Sequence, residues 1–553
     1  MGARIFRPKR LLKLVLLAAA IAAAVWWVGY IPYDPLAIYR PIPATATLAG
    51  RHLHLPARWH DLLANPLALA VMRTAGVDPA EAEELVTDEE SRAWFEKLAG
   101  REGTLAYLPG RYGARPAWMA VSHLGGQSQR LRWQLALFRL AGFERLKQFP
   151  GRSVWRVDTP DLDPRQHLVI AFGEGVLMAC LSDDLLAIRH VLAAYDGNQQ
   201  RLLDEEPEFA RLAAEDDRRV PDRFWIRAGR GTVAADAAGV AVEIPVLRGD
   251  AISLVASTTG LAAVPEDRPD TVGLEALARL LGNAPCAAAL VQREALLALL
   301  DQPDLQHDVR YALRMVADIA TGRVAVVAMD GDMGGRLAWG VMSRLGLSGL
   351  RVPTVLLATP APDEAAAQAA IQRVLDLSNA RYKAAFVLQP VAAPPATLYA
   401  LESAGGNEWV DELAKSDRPA YAVLDGWLLA SSNLAALQKL AQAAAARRGH
   451  ATGAPAWARP LGGAAAVQLW LDLVRSGQVA RDAIATWSMA QMFLDGGNSR
   501  AARERLNEVR TWIDAFAPFG LAQAELARRG ERTALALDLG LSGAPGSARM
   551  PAP

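Results

Sequence analysis

Hydrophobic positions change their spacing along the chain, and each change marks an element. Leu11 to Ile31 reads LLKLVLLAAAIAAAVWWVGYI, apolar almost throughout, with Lys13 near its start. About 20 such residues cross a bilayer as a helix. Thr45–His52 reads as the first strand, and Leu55–Gly76 and Pro79–Ala99 as helices. Asp78-Pro79 gives the latter a cap and a first-turn proline. Strands are predicted at Thr104–Leu108, Ala117–Leu124, Leu131–Phe138 and Val154–Asp158. In the third of these, Leu131, Trp133, Leu135 and Leu137 alternate with Arg132, Gln134 and Ala136, a period that argues strand, with a helix as the alternative.

The pattern then recurs. Leu108–Gly125 (LPGRYGARPAWMAVSHLG) aligns without a gap on Met329–Gly346 (MDGDMGGRLAWGVMSRLG), placing Trp118 against Trp339. Eight of the eighteen positions are identical, where unrelated segments would share about one. His167–Leu181 and Pro419–Ser432 are also alike, each an apolar run, an acid-Gly turn and a second apolar run. Asp425-Gly426 is a strong hairpin signal, because a tight turn needs positive φ at both central residues. Helices follow both hairpins, at Asp183–Tyr195 and Leu434–Ala446. Phe224–Ala228, Val240–Pro245 and Ile252–Ser257 close the first half; Ala465–Leu471 echoes the first of these, and Cys286–Val291 echoes Thr45–Gly50. The second copy is longer. A helix at Asp363–Asn379 accounts for much of the excess, and helices at Gln478–Leu494 and Arg500–Ala517 precede the last strand, Thr533–Leu539.

The expected fold class is α+β: an N-terminal transmembrane helix, then two duplicated antiparallel-sheet domains with helices packed on the sheets. The expected boundaries are a basic cytoplasmic tail at 1–10, the anchor at 11–31, a Pro-rich stalk at 32–44 and a first repeat at 45–261. A linker with a short helix follows at 262–284, then a second repeat at 285–542 with its helical insertion at 478–517, and a disordered tail at 543–553. Arg4, Arg7, Lys9 and Arg10 precede the apolar run. Positive flanks stay in the cytoplasm, so the rest of the chain is expected in the periplasm of a bacterial inner-membrane protein.

Composition adds limits. The chain has 553 residues, 52% hydrophobic and 21% charged, with Lys+Arg and Asp+Glu equal at 59. That balance gives no reason to expect a nucleic-acid partner. The two cysteines, Cys180 and Cys286, are too few for a disulfide framework and are expected as buried thiols.

Chemical candidates are sparse. His52, His54 and His60 could share a ligand or metal if the first strand continues, though no carboxylate or cysteine stands beside them at ligand spacing. Arg115 and Arg336 occupy matching positions before Ala-Trp or its equivalent and could each bind a carboxylate or phosphate. Asp330–Arg336 (DGDMGGR) suggests a cation loop but lacks the closing Glu of an EF-hand. Glu174, Asp183 and Asp184 have structural roles available in a turn and a first helical turn. No GxSxG, HExxH, phosphate-loop or dinucleotide signature occurs, so no catalytic residue, metal site or cofactor is assigned.

The anchor together with Val169–Leu192 and Tyr421–Ala443 resembles bacterial single-pass membrane-anchored families of unknown function, whose exported part is built from duplicated strand–hairpin–helix units. The resemblance implies an envelope protein and lends no catalytic residues. The leading expectation is a non-enzymatic binding or scaffold module, tethered to the lipid bilayer through Leu11–Ile31 and facing another envelope protein or a surface polymer. The alternatives are an envelope hydrolase or transferase with its site in a cleft between the repeats, and a small-ligand or metal sensor using His52–His60.

Overall fold

The computed structural model describes residues 15–19, 30–74, 78–110, 115–138, 140–158, 163–215, 218–227, 239–259, 265, 274–300, 305–330, 335–337, 350–361, 363–383, 385–394, 396–404, 418–447, 455–458, 461, 465–494 and 500–540. They divide into two compact units, Met1–His60 with Asp78–Pro245, and Asp61–Val77 with Val246–Pro553.

The first unit starts its sheet with β1 (Leu48–Leu53). Helix α1 (Leu55–Ala64) follows; α2 (Pro66–Thr74) belongs to the second unit, and α3 (Pro79–Thr87) and α4 (Glu89–Ala99) lead back to the sheet. Then come β2 (Glu102–Leu108), β3 (Ala117–His123), α5 (Gly126–Leu137), β4 (Phe143–Arg145), β5 (Val154–Val157), β6 (His167–Phe172) and β7 (Val176–Ser182). The unit closes with α6 (Ile188–Tyr195), α7 (Leu202–Glu205), α8 (Pro207–Ala214), β8 (Asp222–Ile226) and β9 (Val240–Arg248). All pairings are antiparallel, in the order β9-β8-β1-β2-β3-β7-β6-β5-β4.

In the second unit the chain runs through β10 (Ala251–Thr259), α9 (Leu274–Leu281), β11 (Pro285–Gln292), α10 (Arg293–Leu300), α11 (His307–Ile319) and β12 (Arg323–Met329). A short hairpin, β13 (Gly335–Leu337) and β14 (Leu350–Val352), precedes β15 (Thr354–Pro360) and α12 (Glu364–Tyr382). Strands β16 (Phe386–Ala393), β17 (Ala396–Ser403), β18 (Ala420–Leu424) and β19 (Trp427–Ser431) lead to α13 (Leu434–Arg447). The last elements are β20 (Val467–Asp472), α14 (Leu473–Leu494), α15 (Arg500–Phe516), β21 (Leu521–Arg529) and β22 (Arg532–Leu539). The order is β10-β22-β21-β20-β11-β12-β15-β19-β18-β17-β16, again antiparallel throughout.

The two orders are one order repeated. From β21 to β16 the second sheet follows the sequence of β9 to β4, with helices after β1 and β11, β3 and β15, and β7 and β19, while α14 and α15 between β20 and β21 are additional. Trp225 lies beside Ala49, and Trp470 beside Ala288. Cys180 pairs with Met119 and Val169, as Ser431 pairs with Leu356 and Ala420. The α+β class and the antiparallel duplication are therefore present, and Asp425 (φ 48°) and Gly426 (φ 78°) make the tight turn expected between β18 and β19.

Four expectations need correction. The Trp118–Trp339 alignment does not describe the sheet. The place of β3 is taken by β15, where Val355 faces Ala328 as Trp118 faces Tyr107. The second copy inserts residues, the β13–β14 hairpin among them, between β12 and β15, and the repeated motif falls inside that insertion. Trp339 itself lies outside the described residues. Leu131–Phe138 is not a strand but most of α5. Its alternation arises because the helix carries apolar side chains on opposite sides: Leu131 and Leu135 pack inward while Trp133 and Leu137 point out. Leu55–Gly76 is broken at Asn65-Pro66, where the Asn65 side chain accepts from the backbone N–H groups of Leu67 and Ala68 and caps α2. Finally, the Pro-rich segment is no stalk: Ala37, Ile38, Tyr39 and Ile42 are part of the first core.

The central strands of each sheet bury one face. In the first unit Ala49, Ala106, Met119, Met178 and Trp225 pack under Ile188, Val191, Phe209 and the Ile38–Ile42 segment. In the second, Ala288, Val327, Leu356, Leu429 and Trp470 pack under Leu277, Leu281, Leu437 and Leu440. Among the described residues no helix is long and apolar enough to cross a membrane. Of the expected anchor, Val15–Ala19 are described and helical, Tyr30 and Ile31 are described and not helical, and the rest lies outside the described residues.

Candidate functional site

The second faces of the sheets are unusual for antiparallel strands, which commonly turn polar side chains to an uncovered side. In the second unit, register places Leu357, Val326, Ala289, Leu469, Ala524, Leu537 and Leu254 side by side across seven strands. The row spans roughly 29 Å at ordinary strand spacing. Its neighbour runs Val355, Ala328, Ala287, Leu471, Ala522. Neither contains a polar side chain. Among the described residues, helices cover only the flanks. Alpha-helices α10 and α11 bring Leu296 and Ala317 over Val324, Val291 and Leu357. On the other flank Leu473, Phe519 and Leu67 cover Ala522, Leu537 and Leu539. Between them Val326 and Leu469 are each 37% exposed and Val355 is 44% exposed.

The first unit repeats the face with larger groups. Ala179, Ala120, Leu105, Gly50, Phe224 and Val242 form the corresponding row. Trp118, Tyr107, Leu48, Ile226 and Val240 form the next. Helix α5 covers the β5–β7 end through Leu131, Leu135, Trp155 and Ile170. Trp118 (41%) and Ile226 (42%) stay exposed, and the Trp118 and Tyr107 rings lie 4.9 Å apart. The Phe224 ring lies over Gly50, so close that a Cβ there would sit 2.1 Å from Phe224 Cδ1. Gly50–Phe224 in one copy thus corresponds to Ala289–Leu469 in the other, small against large traded for medium against medium. Alternating Ala, Val and Leu in single strands hid this face from sequence reasoning, because a strand buried on both sides and one open on an apolar side read alike.

The residues singled out in the sequence do not converge. Strand β1 ends at Leu53, and His54 turns away with φ 51°. His52 Nδ1 lies 2.8 Å from Asp222 Oδ1, His54 Nδ1 lies 3.0 Å from the Gly100 carbonyl, and His60 is on the surface. Asp222 also accepts two hydrogen bonds from Arg58, at 2.5 and 2.8 Å. Burial pushes this carboxyl up, but the Arg58 and His52 hydrogen bonds outweigh it and hold the group below its usual value. Arg115 stands 3.4 Å from Asp183, both well exposed, at the end of β3 that carries Trp118. Arg336 lies in β13 opposite Arg351. Asp330 of the glycine-rich loop is bound by Arg475, which also donates to the Asn283, Ala284 and Pro285 carbonyls. Among the described residues no group of His, Cys, Asp or Glu could hold a metal ion.

One cluster was not foreseen. At the end of the first core face, Arg51 stands 3.9 Å from Glu102, Tyr33 donates to Glu102 at 2.7 Å, and Arg223 stands 3.2 Å from Glu243. The His123 ring lies 4.9 Å from that of Tyr33, and burial holds His123 below its usual value. Arg51, Glu102 and Arg223 are nearly inaccessible. Paired charges of this kind satisfy one another in a core and offer no surface to a substrate. Both cysteines are free and buried; burial pushes the Cys180 thiol up to about 12 and raises Cys286 as well.

Compared with known proteins, the chain matches no family model, no curated protein and no solved structure.

Proposed function

We propose that the chain is a membrane-tethered envelope protein whose two repeats act as a non-enzymatic binding scaffold. Leu11–Ile31 would hold it in the bilayer with the repeats on the exported side. The observation that supports binding is the aliphatic row across seven strands of the second unit, left open between two helical flanks. Open apolar faces of this extent mark interaction sites. A row with no hydrogen-bonding side chain suits the apolar surface of another envelope protein better than a carbohydrate polymer, whose hydroxyls would be left unpaired.

The test is site-specific photocrosslinking in intact cells. A photoreactive residue at Val326, Val355 or Leu469 should give a discrete crosslinked partner. One at Lys439, on the α13 helix of the opposite face, should not. Equal labelling at all four positions, or none at the three face positions, would remove the scaffold reading.

A further inference from the structure

Among the described residues nothing covers a second apolar side of helix α5. Trp133 is 53% exposed, Leu137 75%, Phe138 62% and Leu140 43%. Trp133 and Leu137 stand one helical turn apart, on the side opposite Leu131 and Leu135, and Phe138 and Leu140 follow the end of the helix. The surroundings are basic. No Asp or Glu occurs between Gly126 and Phe143, whereas Arg130, Arg132 and Arg139 do. Arg130 and Arg132 are exposed, as are Arg145 and Lys147 beyond them. The nearest carboxylate in sequence, Glu144, is 3.4 Å from Arg156. An aromatic and aliphatic stripe rimmed by Arg and Lys is the composition of a helix that lies in the interface of an anionic bilayer.

The fold places this helix where the chain would leave the membrane. Ile31 ends the apolar run, and its Cγ2 lies against the β6–β7 turn: a Cβ on Gly175 would be 3.1 Å from Ile31 Cγ2 and 3.8 Å from Gly125 Cα. The Leu124 and Gly125 N–H groups both donate to the Gly175 carbonyl, at 2.8 and 2.9 Å. Gly125 is the residue before α5. The end of the anchor is therefore fixed at the first turn of α5, whose 12 residues run about 18 Å at 1.5 Å per residue.

We infer that α5 is a second membrane contact, lying in the headgroup region of an anionic bilayer with Trp133, Leu137, Phe138 and Leu140 inserted and Arg130, Arg132, Arg145 and Lys147 on lipid phosphates. This rests on the anchored reading given above. It holds the first repeat against the bilayer instead of leaving it to swing on a tether.

The experiment uses the full chain in vesicles of phosphatidylcholine with about 30% phosphatidylglycerol. A Leu137→Cys variant carries an environment-sensitive fluorophore; Cys180 and Cys286 are buried and stay unlabelled. The expected result is a blue-shifted emission quenched by brominated lipids, absent from a control label at Arg165→Cys. Each of Arg130→Gln and Arg132→Gln should lower the docked-to-undocked ratio about fivefold. A label that stays in water in these vesicles overturns the inference, as does a blue shift that persists without lipid, which would mean a protein partner or a second copy. Carbonate extraction of the same vesicles separates the two readings. A chain that is extracted has no anchor, whereas one that is retained with Leu137 in water has an anchor but no second contact.

Discussion

Exchanging one residue pair between the copies tests whether they are built alike. In the first copy a Cβ at Gly50 would lie 2.1 Å from Phe224 Cδ1 and 2.7 Å from Cε1. Gly50→Ala must therefore push the ring aside, although Ala suits a strand better than Gly by about 0.5–1 kcal/mol. Overpacking of this kind costs about 1–3 kcal/mol, so the single variant should lose about 1–2 kcal/mol. Phe224→Leu shortens the group above Gly50 and should lose about 1 kcal/mol of buried area. The double variant recreates Ala289–Leu469, which pairs in the same register in the second copy. With the clash relieved, the double variant should be no less stable than Phe224→Leu alone, a coupling of about 1–2 kcal/mol between the sites. Urea unfolding of the four proteins measures it, read with a probe in the first unit because a two-unit chain need not unfold in one step. Effects that add to within about 0.5 kcal/mol would refute the reasoning: the ring would then be free to move, and the matched pairs would reflect ancestry without steric necessity.

Other outcomes follow from the same geometry. Asp222 is held below its ordinary value of 3.8, so the folded chain binds fewer protons there than the unfolded one. Its contribution is complete above that value and is lost as pH falls through the folded pKa. Asp222→Asn should cost about 2–3 kcal/mol near neutrality and should flatten the stability decline below about pH 4, read by urea titration at each pH. Asp363 caps α12 by accepting from the Ala365 and Ala366 N–H groups. Asp363→Ala should lower stability by about 1 kcal/mol, and no change in unfolding midpoint would show that the helix is held by packing alone. Neither thiol should react with Ellman's reagent in the folded chain at mild pH, given burial and a Cys180 thiol at about 12; both should appear on denaturation, and fast native labelling would contradict the buried placement.

What could be read from the sequence was what local chemistry determines. Asp425-Gly426 fixes its turn because both residues take positive φ, and Asp363 announces α12 by its cap. The β7–β19 correspondence was visible because Cys180 and Ser431 stand in unbroken apolar strands. The Trp118–Trp339 match misled because identity was preserved in an inserted stretch while the strand position passed to Val355, whose neighbours are fixed only by pairing with Ala328. Helix α5 misled because two apolar sides of a helix give nearly the same alternation as one side of a strand. The open aliphatic rows and the Arg51–Glu102 pair were beyond local reading, since each is assembled by register across strands distant in sequence.

The chain lends Asp61–Val77 to the second unit. Asn65 donates to the Arg248 carbonyl, and Leu67 packs with Ile252, Leu473, Phe519 and Leu539. During synthesis this stretch leaves the ribosome long before residues 473–539, so it must wait, unpacked, through the making of most of the polypeptide. No single cut can release the second unit intact. A proteolytic nick near 245 would leave the C-terminal fragment short of a helix, and supplying a peptide of residues 61–77 should restore its solubility.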